Sequence, residues 1–206
     1  MASNFDFIAA EWPELFEECA RAEGYVRSDP RASVIYSRRV VEQLVGFLYD
    51  VAGLPLPYQD DLAAKMNAPA FKNLLGSDMT LKANAVRKAG NAAAHKSGTV
   101  VEMGALQVLR EVHHLVYWVA FRYSTRPEAI PQGLRFEPSL VKDAGTAPLS
   151  HAELNALLAK FDEMDVLLAA EKATNLALEA ELEQLRAEIA AAQAAKAGVP
   201  DAHDYD

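Results

Sequence analysis

The sequence holds one cysteine, Cys19, which excludes an internal disulfide and any cysteine-rich zinc site. It also lacks a long apolar run: no stretch approaches the roughly 18 residues that a membrane-spanning helix needs. Near the start, Asn4, Asp6, Glu11 and Pro13 interrupt any signal-type apolar segment. Cations are scarce, with 20 Lys and Arg against 29 Asp and Glu and a net charge of −9. Affinity for nucleic acid comes mostly from neutralising phosphates, so this balance argues against a broad phosphate-binding face and leaves room only for a local basic patch. GxxxxGK[ST], GxGxxG and HExxH are all missing, so the chain offers no standard nucleotide loop or zinc-protease site. The expectation is a cytoplasmic protein, without membrane contact, metal or cofactor of its own.

What is present is apolar sequence at helical spacing. With 51% hydrophobic side chains in 206 residues, the chain can bury one core of about 100–150 residues and still carry an appendage. Trp12, Leu15, Phe16 and Cys19 recur at steps of three or four, which predicts a helix over 11–22 ended near Gly24. Asp29-Pro30 is an N-cap followed by a first-turn proline. Val34, Ile35, Val41, Leu44, Val45 and Leu48 then give a broad apolar face running to Gly53, expected to be the central helix. Two short pieces, 60–66 and 70–75, follow a double-proline turn. Ser77 or Asp78 begins a helix to about Ala94, and 103–123 is apolar on most sides and therefore buried. The fold class is all-α: an antiparallel helical bundle over 1–126.

Composition changes after Ser124. Residues 127–150 contain Pro127, Pro131, Pro138 and Pro148 without periodicity, which predicts a linker running over the bundle rather than into it. Residues 151–197 then show heptads. Leu154, Phe161, Leu168, Asn175, Leu182 and Ile189 take the a positions, and Leu157, Met164, Glu171, Leu178, Leu185 and Ala192 the d positions, so ten of twelve are apolar. An Asn at one a position commonly fixes a parallel two-stranded register, and Lys160–Asp165 and Glu181–Arg186 would be attractive pairs between strands. The expectation is one continuous helix of about 65–70 Å that forms a homodimer. The competing reading folds it back on the bundle. Residues 198–206 break the helix at Gly198 and Pro200 and read as a tail leading onward.

Few residues suggest chemistry. His113 and His114 point about 100° apart on one helix, a poor pair for one metal, so one should pack and one be solvated. Asp60-Asp61 suits a helix start, and Glu17-Glu18 reads as solvated face. The stretch RKAGNAAAHKS at 87–97 is different. Arg87, Asn91 and His95 are spaced i, i+4, i+8 and share a stripe, while Gly90 and Ala94 allow a neighbouring helix close. Such a stripe is either an active site or a polar brace bonded to Arg38, Arg39 and Glu42 of the second helix.

GNAAAH at 90–95 resembles the R-N-x-x-x-H motif of HEPN domains, helical bundles often found as ribonucleases in toxin–antitoxin and antiviral systems. Asn91 and His95 match, and Gly90 stands where the motif has Arg. Resemblance to active members implies that His serves in acid/base chemistry while Arg stabilises phosphate charge. SNFDFIAAEWPELFEECARAE, DPRASVIYSRRVVEQLVGFLYD, VRKAGNAAAHKS and the Trp118 helix together are similar to the N-terminal domain of the R subunits (HsdR) of type I restriction-modification systems. There a HEPN-like domain, a linker and a coiled coil precede nuclease and translocase domains. The resemblance implies methyltransferase and specificity subunits as partners, and implies ATP and Mg²⁺ only for downstream domains whose motifs this chain lacks. Three expectations follow. The first is a non-catalytic assembly module with Gly90, Asn91, His95, Arg39 and Glu42 as a structural polar motif. The second is a ribonuclease using His95, Asn91 and Arg87. The third is a DNA-handling surface built from Arg38, Arg39, Arg87, Lys88 and Lys96.

Overall fold

Asp29 opens the longest uninterrupted helix in the way its residue type requires. A computed structural model of the chain describes residues 2–95, 99–142, 182–184 and 186, with His95 described by its backbone alone. In it Asp29 accepts a hydrogen bond from the Ala32 N–H at 3.0 Å, satisfying one orphan donor of helix α2 (Pro30–Ala52). Gly53 closes the same helix in the left-handed region (φ 57°), where the Leu54 N–H returns to the Tyr49 carbonyl at 3.0 Å. Helix α1 (Pro13–Tyr25) precedes it. Helix α3 (Leu62–Asn67) is capped by Asp61, whose carboxylate accepts from the Ala64 N–H. Helix α4 (Pro69–His95) is broken by Gly76 at φ 77° and ψ 168°, a backbone that side-chain-bearing residues rarely adopt, so the break falls between the two pieces read from the sequence. Helix α5 (Glu102–Tyr123) completes the bundle. The described residues are all-α, without a strand.

Helix α2 packs against α1, α4 and α5, and α4 also meets α5. Val34, Ile35, Val41, Leu44, Val45 and Leu48 are all buried, as their spacing predicts. Each such burial contributes about 1.5–3 kcal/mol of transfer free energy.

Helix α1 ends near Gly24 as its spacing predicts, at Tyr25, with the Val26 N–H bonded to the Glu23 carbonyl. Two expectations need correction. Glu18 is buried, not part of a solvated face: it sits between Arg21 (3.3 Å) and Arg39 of α2 (3.1 Å), while Glu17 remains exposed. The segment after residue 126 does not run only over the surface, since it sends Ile130, Phe136 and Val141 into the core. Two short 3₁₀ turns, Pro127–Ala129 and Pro138–Leu140, are the regular elements of this segment, so its inward residues follow no helical period.

Polar bonds hold that segment to the start of the chain. The Asn4 side chain accepts from the Glu137 N–H (2.7 Å) and donates to the Glu137 carbonyl (3.1 Å), and it also donates to the buried Glu23 carboxylate of α1 at 2.6 Å. Beneath this clasp lies His113 of α5, only 1% exposed and ringed by Phe5, Phe7, Tyr117 and Phe136 with centroids 5.7–6.4 Å away. The split expected for the histidine pair is what forms: His113 packs, and the partly exposed His114 bonds to Glu111 at 3.2 Å.

Residues 160–206 form a second unit. Its described residues, 182–184 and 186, are helical; Arg186 pairs with Glu183 at 3.3 Å, and Leu182 is 54% exposed within its chain. The other seam residues, Leu154, Leu157, Phe161, Met164, Leu168, Asn175, Leu178, Leu185 and Ile189, lie outside the described residues, as do linker residues 143–150 and the 198–206 tail.

Among the described residues neither ring nitrogen of His113 has a hydrogen-bond partner. Burial, and secondarily the neighbouring His114, push its pKa down from 6.5 to about 4. Because the folded value lies below the unfolded one, the stability held by neutral His113 is fully present above about pH 6.5 and is lost as pH falls towards 4. At about 1.4 kcal/mol per unit the loss reaches roughly 3 kcal/mol. We expect His113→Leu to remove this component, so that urea unfolding from pH 7 to 4 shows a shallower decline than wild type. Parallel profiles for the two proteins would show that His113 does not titrate in this way.

Candidate functional site

The stripe singled out in the sequence sits on the second half of α4, beyond the Gly76 break. The face that α4 buries there is Ala83, Val86, Gly90 and Ala93, at steps of three and four. Small residues on this face let α2 approach. At Gly90 the approach is extreme: a Cβ added there would stand 2.5 Å from the Arg38 Cβ and 2.9 Å from its Cδ. The stem of Arg38 therefore lies across the glycine. Arg38 is only 6% exposed, and its guanidinium pairs with Glu42 one turn further along α2, at 3.1 Å.

Asn91 and Arg87 lie beside this contact at the margin of the buried face, each half-buried. Arg87 does not extend along the stripe to Asn91. Its Nε and Nη2 both donate to Asn84 Oδ1 of the preceding turn, at 3.4 Å. The Oδ1 of Asn91 is enclosed without a hydrogen-bond partner among the described residues. Of the residues expected to brace Asn91 and His95, Arg38 pairs with Glu42 on α2, and Arg39 turns to Glu18 of α1 and over the Tyr36 ring (5.8 Å). The His95 side chain and Lys96 lie outside what is described.

What α2 gives to the end of α4 is a different arginine. Arg31 donates through Nε to the Ala93 carbonyl at 2.7 Å and through Nη2 to the Ala94 carbonyl at 3.2 Å. These are among the last-turn carbonyls that have no intrahelical partner, and they lie at the negative end of the helix dipole, so a guanidinium there is doubly favourable. Sequence reasoning missed Arg31. It stands in the first turn of α2, 62 residues from Ala93, and no spacing within either helix marks the pair. Glu18 was missed for the same reason.

Of the basic residues grouped in the sequence, Lys96 lies outside the described residues and the others are divided. Arg38 is buried and Arg39 is engaged with Glu18, which leaves exposed Lys88 and half-buried Arg87 on this part of α4. Among the described residues no group of three or more His, Cys, Asp or Glu side chains is placed to hold a metal ion, and no helix is long and apolar enough to cross a membrane.

These features define a helical bundle whose motif helix is locked to its central helix by a glycine–arginine contact and a capping arginine. Residues 20–135 match a family model described as a domain of unknown function, DUF4145. The match spans more than half of the chain, and the chain belongs to this family. It runs from within α1 across the 126 boundary, so the matched region includes Arg31, Arg38, Gly90, Asn91, Ile130 and the segment leading to Phe136. No curated protein and no solved structure matches the chain.

The Gly90 contact makes a prediction whose sign separates two effects. Helix propensity alone would make Gly90→Ala stabilising by up to about 1 kcal/mol. The Arg38 Cβ is fixed to the backbone and cannot swing away, so the overpacking should dominate and destabilise the protein by about 1–3 kcal/mol. Urea denaturation decides it: an alanine variant at least as stable as wild type would mean that α2 and α4 are not this close.

Proposed function

We propose that this chain is a non-catalytic interaction and assembly module. Following its resemblance to the N-terminal part of type I restriction R subunits, it would be a HEPN-like bundle carried on a coiled coil, helping to position a nuclease and translocase on methyltransferase and specificity subunits. The observation that carries this reading is the occupied space above Gly90. An arginine there would be the phosphate-binding group of the motif; instead the buried Arg38 stem fills that space and its guanidinium is paired with Glu42. Arg87, the nearest alternative on α4, is bonded to Asn84. A buried cation held by a neighbouring carboxylate is poorly placed to receive developing phosphate charge, since the pair would have to be broken first. The acidic balance of the whole chain agrees with a protein rather than a phosphate partner.

One observation favours the ribonuclease reading. Asn91 Oδ1 is enclosed without a hydrogen-bond partner among the described residues, and the stem of Arg38 crosses α4 one residue earlier, at Gly90. Purified chain incubated with single-stranded RNA and with transfer RNA separates the two. The assembly reading expects intact RNA. Cleavage that disappears in His95→Ala and Arg38→Ala would establish the enzyme instead.

For assembly, the full chain should sediment as a dimer at tens of micromolar, because a stripe of ten apolar side chains needs a cover. Leu178→Glu with Leu185→Glu should give a monomer. A wild-type chain that is already monomeric at this concentration would mean the C-terminal helix does not pair.

A further inference from the structure

We propose that the cleft between the start of α1 and the second half of α2 is the docking site for a basic amphipathic segment of a partner protein. The inference rests on the assembly-module reading and supplies its partner surface. The cleft has a volume of about 530 Å³, within the range of binding sites for ligands and side-chain clusters. Its floor is apolar core, Leu44 of α2 with Val116 and Val119 of α5. Its walls are half-buried Trp12 and Phe47, which meet edge to face at 6.2 Å, and Phe47 leans in turn on Tyr123 at 6.0 Å. Gly46 keeps the middle open, since a Cβ added there would meet nothing within 4 Å.

Charge selects the occupant. Glu11, Glu14 and Asp50 line the cleft, and among the described residues no Lys, Arg or His does. Glu11 is already engaged: it accepts from the Ser124 hydroxyl and from the Thr125 N–H and hydroxyl. The exposed Glu14 and Asp50 side chains make no hydrogen bond or ion pair among the described residues. By contrast Glu17, Glu18, Glu42, Glu102 and Glu111 each lie beside an Arg or Lys, while the likewise unpaired Asp78 and Glu128 do not line this cleft. Two uncompensated carboxylates at the mouth of an aromatic-walled cleft fit a ligand that is cationic at one edge and apolar in its body. Such a ligand gains both from the carboxylates and from the faces of Trp12 and Phe47. A lone small cation would leave the apolar floor wet, whereas a helix with apolar side chains at i, i+3, i+4 and a Lys or Arg beside them covers floor and rim together.

The probe is a fluorescein-labelled model helix of Leu and Lys at amphipathic spacing, titrated with the full chain and followed by fluorescence anisotropy, with a Leu/Glu peptide of the same pattern as control. We expect the Leu/Lys peptide to bind and the Leu/Glu peptide not to. Gly46→Leu fills the cleft without changing charge and should weaken binding by roughly tenfold or more, as should Glu14→Lys with Asp50→Lys. Equal affinity of wild type and Gly46→Leu would reduce the binding to general attraction by an acidic chain and overturn the proposal. So would absence of Leu/Lys binding to wild type. That result would leave the assembly reading standing if RNA stays intact and the C-terminal helix pairs, so the two failures are distinct. If Gly46→Leu changes the sedimentation of the chain alone, a second copy occupies the cleft and the proposal is also overturned.

Discussion

Helix α2 carries two arginines that serve α4, and the fold depends on how one of them is accommodated. Arg38 points into the α2–α4 interface, where a charge taken from water is tolerable only if paired. Glu42, four residues along the same helix, provides the pair, so the ion pair is internal to α2 and sets no register by itself. The register comes from the stem, which can lie flat only against a residue without a side chain. Gly90 is that residue. Arg31, two turns earlier on α2, then reaches the Ala93 and Ala94 carbonyls, because the same alignment brings the end of α4 over the beginning of α2. The polar contacts and the small-residue face thus specify one another: a slide of α4 by a turn would break the Arg31 bonds and drive Arg38 against a larger side chain.

A second constraint closes the other side of the bundle. His113 needs an apolar surround, and α5 with its neighbours supplies only part of it. Phe5 and Phe7 come from before α1, and Phe136 from beyond α5. Both segments lack long helical structure, so their backbone groups need partners elsewhere, and the Asn4 side chain meets that need by bonding both the N–H and the carbonyl of Glu137. This is why the bundle does not end with its last helix.

How much of this was legible in the sequence follows from the range of each signal. Caps and breaks act over three or four residues, so Asp29, Asp61, Gly53 and the interruption at Gly76 could be read directly. The buried face of α2 was equally plain from its spacing. The core residues after 126 were not, because in irregular backbone no period tells the buried Phe136 from the half-buried Leu134 two residues before it. At the site, sequence located the stripe and its small residues. It grouped Arg38 with Arg39, but the two are adjacent and diverge by about 100° on the helix, Arg38 towards Gly90 of α4 and Arg39 towards Glu18 of α1. Deciding which goes where needs the relative rotation of three helices, and no local pattern contains it.

The glycine at position 90 also changes what the departure from the R-N-x-x-x-H pattern means. Read as a sequence, Gly90 is a missing arginine, and Arg38 is an unrelated residue some fifty positions away. In the bundle they are one feature. With Cβ atoms at both positions the separation would be 2.5 Å, against the 3.5–4.0 Å at which carbon atoms pack without repulsion. Any side chain at 90 therefore requires α2 and α4 to move apart by about 1 Å or more locally, whatever happens to the arginine's outer atoms. A bundle with arginine at this place must have a wider helix pair there. Placing Arg at position 90 in this chain would consequently not restore a catalytic group to a waiting site; it would prise open the contact that aligns α4 on α2, and with it the Arg31 cap at the end of the motif helix.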